Sequence, residues 1–310
     1  MQPLVYALMA TVPFVVFSLI LRFLVSMQGW PVGLVGTFAR LVTLPLLAAW
    51  VLSTGRGWRR LAVGGVAGWV LLMGSLSIGI NLLWFSALKW TTATNVSMLF
   101  RLDLVFVVLI GGMLGLERIG KAQLAILPLM FLGLGLLTEV HKLDFGGHLA
   151  GDLMIVTAAL GFATNAFVIR RIMRVMDEES AALYNHAMSM LGFVALAVFG
   201  GDFARAGEVF AQRSAWLPIV SLGVIGAVGL PLYYAALRRM DVWKLRTFML
   251  CAPVIAAVAE WSLWGFRLSG LQCLGGLIIL LGLGLLIRVE SRSGDARVEE
   301  VATEGVPESS

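Results

Sequence analysis

Apolar runs of about 17–23 residues alternate with short polar gaps along nearly the whole chain, the pattern of a polytopic helical membrane protein. The runs predict about ten helices over 4–21, 31–52, 62–86, 91–113, 121–138, 150–170, 180–200, 215–236, 243–264 and 268–288. The expected fold class is therefore an all-α integral membrane protein. Leu4–Leu21 lacks a basic lead and a small-residue cleavage pattern, so it reads as a retained first helix and not as a signal peptide. From 289 to 310 the chain turns polar and mixed in charge, and a disordered tail is expected there.

Charge adds a topology. The gaps on the side of the N-terminus hold fifteen Lys and Arg residues, among them Arg56, Arg59, Arg60, Arg118, Arg170, Arg171, Arg238, Arg239 and Arg246. The opposite gaps hold six: Arg22, Lys89, Lys142, Arg205, Arg213 and Arg267. Basic residues favour the cytoplasmic side, so both termini are expected there, in the plasma or inner membrane. Trp30, Trp50, Trp90, Trp216, Trp243 and Trp264 fall at predicted helix ends, as in an interfacial belt, whereas Trp69 and Trp84 lie deeper. Cys251 and Cys273 sit in apolar runs, and no disulfide, metal site, cofactor or nucleic-acid partner is expected. The expected partners are the bilayer and a small-molecule solute, with a homodimer also admitted.

An internal repeat organises the chain. LGLGLL occurs at Leu132–Leu137 and again at Leu281–Leu286, an offset of 149. In that register Ala87-Leu88 matches Ala236-Leu237, Arg118 matches Arg267, Gln123 matches Gln272, and Trp84-Phe85 matches Tyr233-Tyr234. Two five-helix halves are implied, residues 1–138 and 150–288. Five is odd, so the halves insert with opposite orientation, the inverted-repeat plan of many secondary transporters.

The stretch FSALKWTTATNVSMLF…GLERIGKAQ and its second copy YYAALRRMDVWKLRTFMLCAPV…GFRLSGLQ resemble the EamA-type branch of the drug/metabolite transporter superfamily. That resemblance covers nearly all of residues 1–288 and implies ten helices in two inverted repeats that export small metabolites, amino acids among them. It also implies an arginine in the second helix, which Arg40 supplies. Two positions depart from the pattern. The proline of the ninth helix, Pro253, has Leu104 as its counterpart, and the acidic-basic pair Glu117-Arg118 becomes Phe266-Arg267.

Candidate chemistry centres on the fourth apolar run, where Asn95, Arg101 and Asp103 interrupt a span. A charge at mid-bilayer costs roughly 2.5–3.5 kcal/mol on insertion scales unless it meets protein or water. Arg101 and Asp103 lie about 160° apart around a helix, so each is expected to find its partner elsewhere. Arg40 and Asp103 agree in depth to roughly 5 Å, which predicts an Arg40–Asp103 pair. Arg101 is expected to reach toward Glu260 or face a water-filled cavity, where it would attract a carboxylate. Asp103 and Glu260 are the candidates for proton coupling, and Asn81, Trp84, Asn95, Asn165 and Tyr234 complete the candidate solute-binding set. Interhelical packing is the alternative role of the neutral polar groups. His141, His148 and His186 show no metal-binding spacing, and no phosphate-cradling loop is present, which favours a gradient-driven transporter. The competing readings are an intramembrane enzyme acting on a lipid-linked substrate and a non-transporting scaffold or accessory subunit.

Overall fold

The computed structural model describes residues 2–53, 64–87, 90–140, 148–265 and 267–304, and the regular structure there is helical throughout. In chain order the α-helices are α1 (Gln2–Arg22), α2 (Val32–Ser53), α3 (Ala67–Ala87), α4 (Ala93–Leu99), α5 (Leu102–Met113), α6 (Lys121–Leu137) and α7 (Leu149–Ile172). They continue with α8 (Glu178–Phe199), α9 (Ala206–Ala211), α10 (Arg213–Arg239), α11 (Val242–Met249), α12 (Ala252–Trp264) and α13 (Gly270–Glu304). Among the described residues, eight helical stretches are long and apolar enough to cross a membrane, with α11 and α12 counted as one. The expected fourth span is divided between α4 and α5, and the fifth, α6, has 17 residues. This is a multi-pass membrane protein. Of the residues used for topology, Arg56, Arg59, Arg60, Lys89 and Lys142 lie outside the described residues, as does His141.

Local chemistry sets the helix ends. Asp177 caps α8 by accepting from the Ser180 amide at 2.9 Å, with Glu178 and Glu179 in the positive first turn. Ser269 and Gln272 bond reciprocally at the start of α13. Gly265 ends α12 in the left-handed region, φ 68°, where a side chain would be strained.

Two expected continuous helices are broken. The chain turns tightly at Phe100–Arg101 and again at Leu250–Cys251, where Arg101 N–H bonds to Met98 C=O and Leu250 N–H to Thr247 C=O. These two i→i−3 bonds are separated by the repeat offset. Pro253 explains the second break, because it has no N–H to donate back to Met249. The first break has Leu104 at the corresponding position, and Asp103 in the first turn of α5 favours a new helix start there. The last helix, α13, runs to Glu304. Extending a formed helix costs little, and no proline occurs between Gly270 and Pro307.

The main core draws on α3, α5, α6, α7, α8, α10, α11 and α13. The packed pairs include α6–α13, α2–α8, α3–α7, α1–α10, α3–α8, α2–α10, α5–α7, α1–α12 and α8–α10. The α6–α13 seam depends on small residues: a Cβ on Gly275 would lie 2.5 Å from Gly133 C=O, and one on Gly133 would lie 2.8 Å from Gly275 C=O. At the neighbouring Gly276 the nearest atom would be Val254 Cγ1 at 3.5 Å. Gly275→Val is therefore expected to destabilise the protein by about 1–3 kcal/mol. Gly276→Ala should leave the thermal midpoint of detergent-solubilised protein nearly unchanged, and equal midpoints for the two variants would remove the seam from the account.

Candidate functional site

Three polar centres lie where the broken helices meet the rest of the bundle. In the first, Asp103 of α5 faces Arg246 of α11, with Oδ2 3.4 Å from Nη1. Their side chains are 5% and 3% exposed, so this pair is enclosed in protein. The Arg246 guanidinium lies 3.9 Å over the Phe162 ring and 5.4 Å from that of Tyr233. Arg101, half-buried at the start of α5, feels the charges of both Asp103 and Arg246. Asp103 is paired with Arg246, and Arg101 stands near that pair as a further positive charge.

Arg40 marks the second centre. Its Nη2 donates to Ser189 Oγ at 3.4 Å, its guanidinium lies 4.4 Å over Phe193, and its buried Nε has no hydrogen-bond acceptor. Ser189 also accepts from Asn81 Nδ2 at 3.0 Å. One turn along the same helices, Ser77 donates to Asn185 Oδ1 at 2.6 Å, Asn165 donates to Ser77 Oγ at 3.1 Å, and Asn185 donates to the Tyr234 hydroxyl. Two rungs therefore join α3 to α8, reaching Arg40 on one and Asn165 and Tyr234 on the other.

An aromatic row links these two centres. Phe162 packs on Phe100 at 5.2 Å, Phe100 on Trp84 at 6.3 Å, Trp84 on Phe85 at 4.6 Å and Phe85 on Phe193 at 5.4 Å. Arg246 lies against one end of the row and Arg40 against the other. Two clefts of about 310 Å³ open elsewhere, one lined by Gly65, Gly68, Trp69 and Leu72, the other by residues of α3 with Tyr184 and Met188. Neither reaches the arginines.

Asn95 belongs to the third centre, at the opposite end of the divided span from Glu117. Asp152 Oδ1 accepts from Thr91 Oγ1 at 2.5 Å and from Asn95 Nδ2 at 2.9 Å, while its buried Oδ2 has no donor.

Several expectations are corrected. The Arg40–Asp103 pair is not formed, because Asp103 is taken by Arg246 and Arg40 rests on Phe193 and Ser189. Counting depth residue by residue assumes straight helices, and the break before Asp103 invalidates it. Glu260 is not the mate of Arg101 either; it pairs with Arg22 at a partly exposed site. Arg246 is no loop cation but is buried, so it leaves the topology count. Sequence reasoning missed Arg246, Asp152, Ser189 and Phe162. Ser189 had a usable signal, since it stands 149 residues after Arg40, at the repeat offset.

Comparison with known proteins bears on the family. Residues 149–288 match the EamA-like transporter family. An uncharacterized transporter of Archaeoglobus fulgidus is 26% identical over 251 residues, covering 79% of this chain and 84% of that protein. A probable amino-acid metabolite efflux pump of Salmonella typhimurium is 24% identical over 225 residues, covering 69% of this chain and 75% of that protein. A solved structure at 20% identity superposes with a TM-score of 0.76 over 93% of this chain and 98% of the other, which shows the fold alone.

The Asp103–Arg246 geometry makes a double-mutant expectation. Arg246→Gln alone strands a buried carboxylate and should cost about 3–5 kcal/mol of stability. Adding Asp103→Asn should recover a large part of that loss in unfolding of detergent-solubilised protein, and strictly additive losses would show that the two do not act as a pair.

Proposed function

Because this chain is an EamA-type transporter of the drug/metabolite transporter superfamily and not an enzyme, we propose that it is a gradient-driven exporter of a small carboxylate-bearing metabolite, such as an amino acid. The observation that carries the solute class is Arg40. It is a mid-span cation with no carboxylate partner among the described residues, and it sits in a row of uncharged hydrogen-bonding groups. A guanidinium held this way lacks a counter-ion that an anionic solute would supply. Arg101 and the excess positive charge around Arg246 offer a second anchor at the far end of the aromatic row. The efflux-pump relative supports the amino-acid reading.

The finer architecture belongs to the same proposal: ten spans in two inverted five-helix halves, with both termini cytoplasmic in the plasma or inner membrane. Swapping the halves turns the α3–α7 pair into α10–α1, α3–α8 into α10–α2, and α5–α7 into α12–α1, each of them a packed pair. The α2–α8 and α6–α13 pairs map onto themselves. Arg40 bonds to Ser189, its own counterpart in the repeat register. Contact between counterparts is expected beside a pseudo-two-fold axis, where inverted-repeat transporters place their solutes.

Asn81, Trp84, Asn165 and Tyr234 line the way between the anchors in this reading, and Asn95 stands at its far end. Asp103 and Glu260 each hold an arginine, so protonating either would release one; this is the form that proton coupling would take here.

Purified protein screened by thermal shift against amino acids, organic acids and nucleosides tests the proposal. A ligand at 100 times its Kd stabilises by about 2.7 kcal/mol, which a melting midpoint registers. Anionic or zwitterionic compounds should raise the midpoint, and Arg40→Gln should abolish the rise. Silence from all of them, with the protein folded, would overturn the carboxylate assignment.

A further inference from the structure

We propose that α11 and α4, the leading halves of the two broken spans, are the two gates of this transporter, latched by Glu117 and Asp152 respectively. α11 is short but buried almost all round: Val242, Trp243, Leu245, Arg246, Thr247 and Met249 are all enclosed. Beyond the Leu250–Cys251 break, α12 buries only Ala252. The leading half of this span is thus a plug in the protein interior, and the trailing half is a peripheral strut packed on α1.

Glu117, in the turn after α5, holds that plug. Its side chain is fully buried and accepts from the amides of Val242 at 2.5 Å and Trp243 at 3.1 Å, and from Arg170 Nη1 at 2.7 Å. Arg170 reaches on to Asp241, 3.6 Å away, which Lys244 also contacts at 3.3 Å. A carboxylate bonded to the first free amides of a helix fixes both its position and its axis. One turn further along, Arg246 is held by Asp103 of the same α5. Two carboxylates at opposite ends of α5 therefore clamp α11, and the break behind α11 supplies the hinge.

At the other end of the bundle α4 is held through side chains in place of amides, its Asn95 amide being capped by Thr92. Asp152 of α7 binds Thr91 and Asn95 around the start of α4, and Asn95 and Val96 are buried. This latch is weaker. One carboxylate oxygen of Asp152 lacks a donor, whereas both oxygens of Glu117 are engaged. An incompletely satisfied buried carboxylate has less to lose on release. The Asp152 end is accordingly the one that opens first from the state seen here.

The latches rest on the transport reading, but they can be tested without transport. Cys251 lies buried at the hinge of α11, and the exposed Cys273 is removed as Cys273→Ala. A membrane-impermeant maleimide is then applied from either face of oriented vesicles. Glu117→Gln should raise the labelling rate of Cys251 about tenfold, the equivalent of ~1.4 kcal/mol, from the Glu117 face alone. Asp152→Asn should raise it from the opposite face alone. Val242→Pro is a second, milder probe, because proline suits the first turn of α11 yet removes one amide from Glu117. It should act from the Glu117 face. Unchanged labelling, or equal increases from both faces, in folded monodisperse protein would overturn the assignment. A chain that binds no carboxylate could still show both latches, so this proposal and the solute class fail separately.

Discussion

The Asp103–Arg246 pair is the contact on which the rest of the interior turns. It joins the halves of the chain beside the two points where each half gives up a continuous helix. Backbone groups freed inside a membrane must be satisfied by protein or cavity water. Here the freed amides are absorbed by i→i−3 bonds at both breaks, and the charges are absorbed by one another. Removing either charge would leave its partner enclosed and uncompensated, next to a backbone that has already lost its regular ladder.

That pair also explains why Arg101 and Arg40 matter. With Asp103 committed to Arg246, Arg40 and Arg101 have no carboxylate of their own among the described contacts, at two places joined by a row of edge-to-face and tilted rings. Aromatic faces accept guanidinium groups without neutralising them. The arrangement keeps Arg40 and Arg246 against aromatic faces while leaving a net charge for which an anion is the natural complement. A purely structural arginine would be expected to end on a carboxylate or a backbone carbonyl, as Arg170 does on Glu117 and Arg238 does on the carbonyls of Met173 and Met176.

The sequence made the helices legible because apolar length is a one-dimensional property. The described residues are helical with eight stretches of spanning length, and Pro253 even marked one break. The other break was hidden, since nothing in Leu102–Leu104 forbids helix, and the turn follows from tertiary placement of Asp103 against Arg246. Arg246 was misread because it lies four residues past a predicted boundary, where a cation ordinarily snorkels to the interface. The helix breaks carry it inward. The Arg40–Asp103 expectation failed for the same reason: depth was counted along straight rods. What the repeat register did contain, unused, was the Arg40–Ser189 contact, since the two residues stand one offset of 149 apart.

The register finally separates scaffold from chemistry. The paired breaks recur at the repeat offset, in the Arg101–Met98 and Leu250–Thr247 bonds. The charges do not recur. Arg101 corresponds to Leu250, Asp103 to Ala252, Arg246 to Ser97 and Arg40 to Ser189. If these charges served only to brace a two-fold bundle, each would be useful twice and its loss from one half would need a reason. Each occurs once, so each distinguishes the two halves from one another.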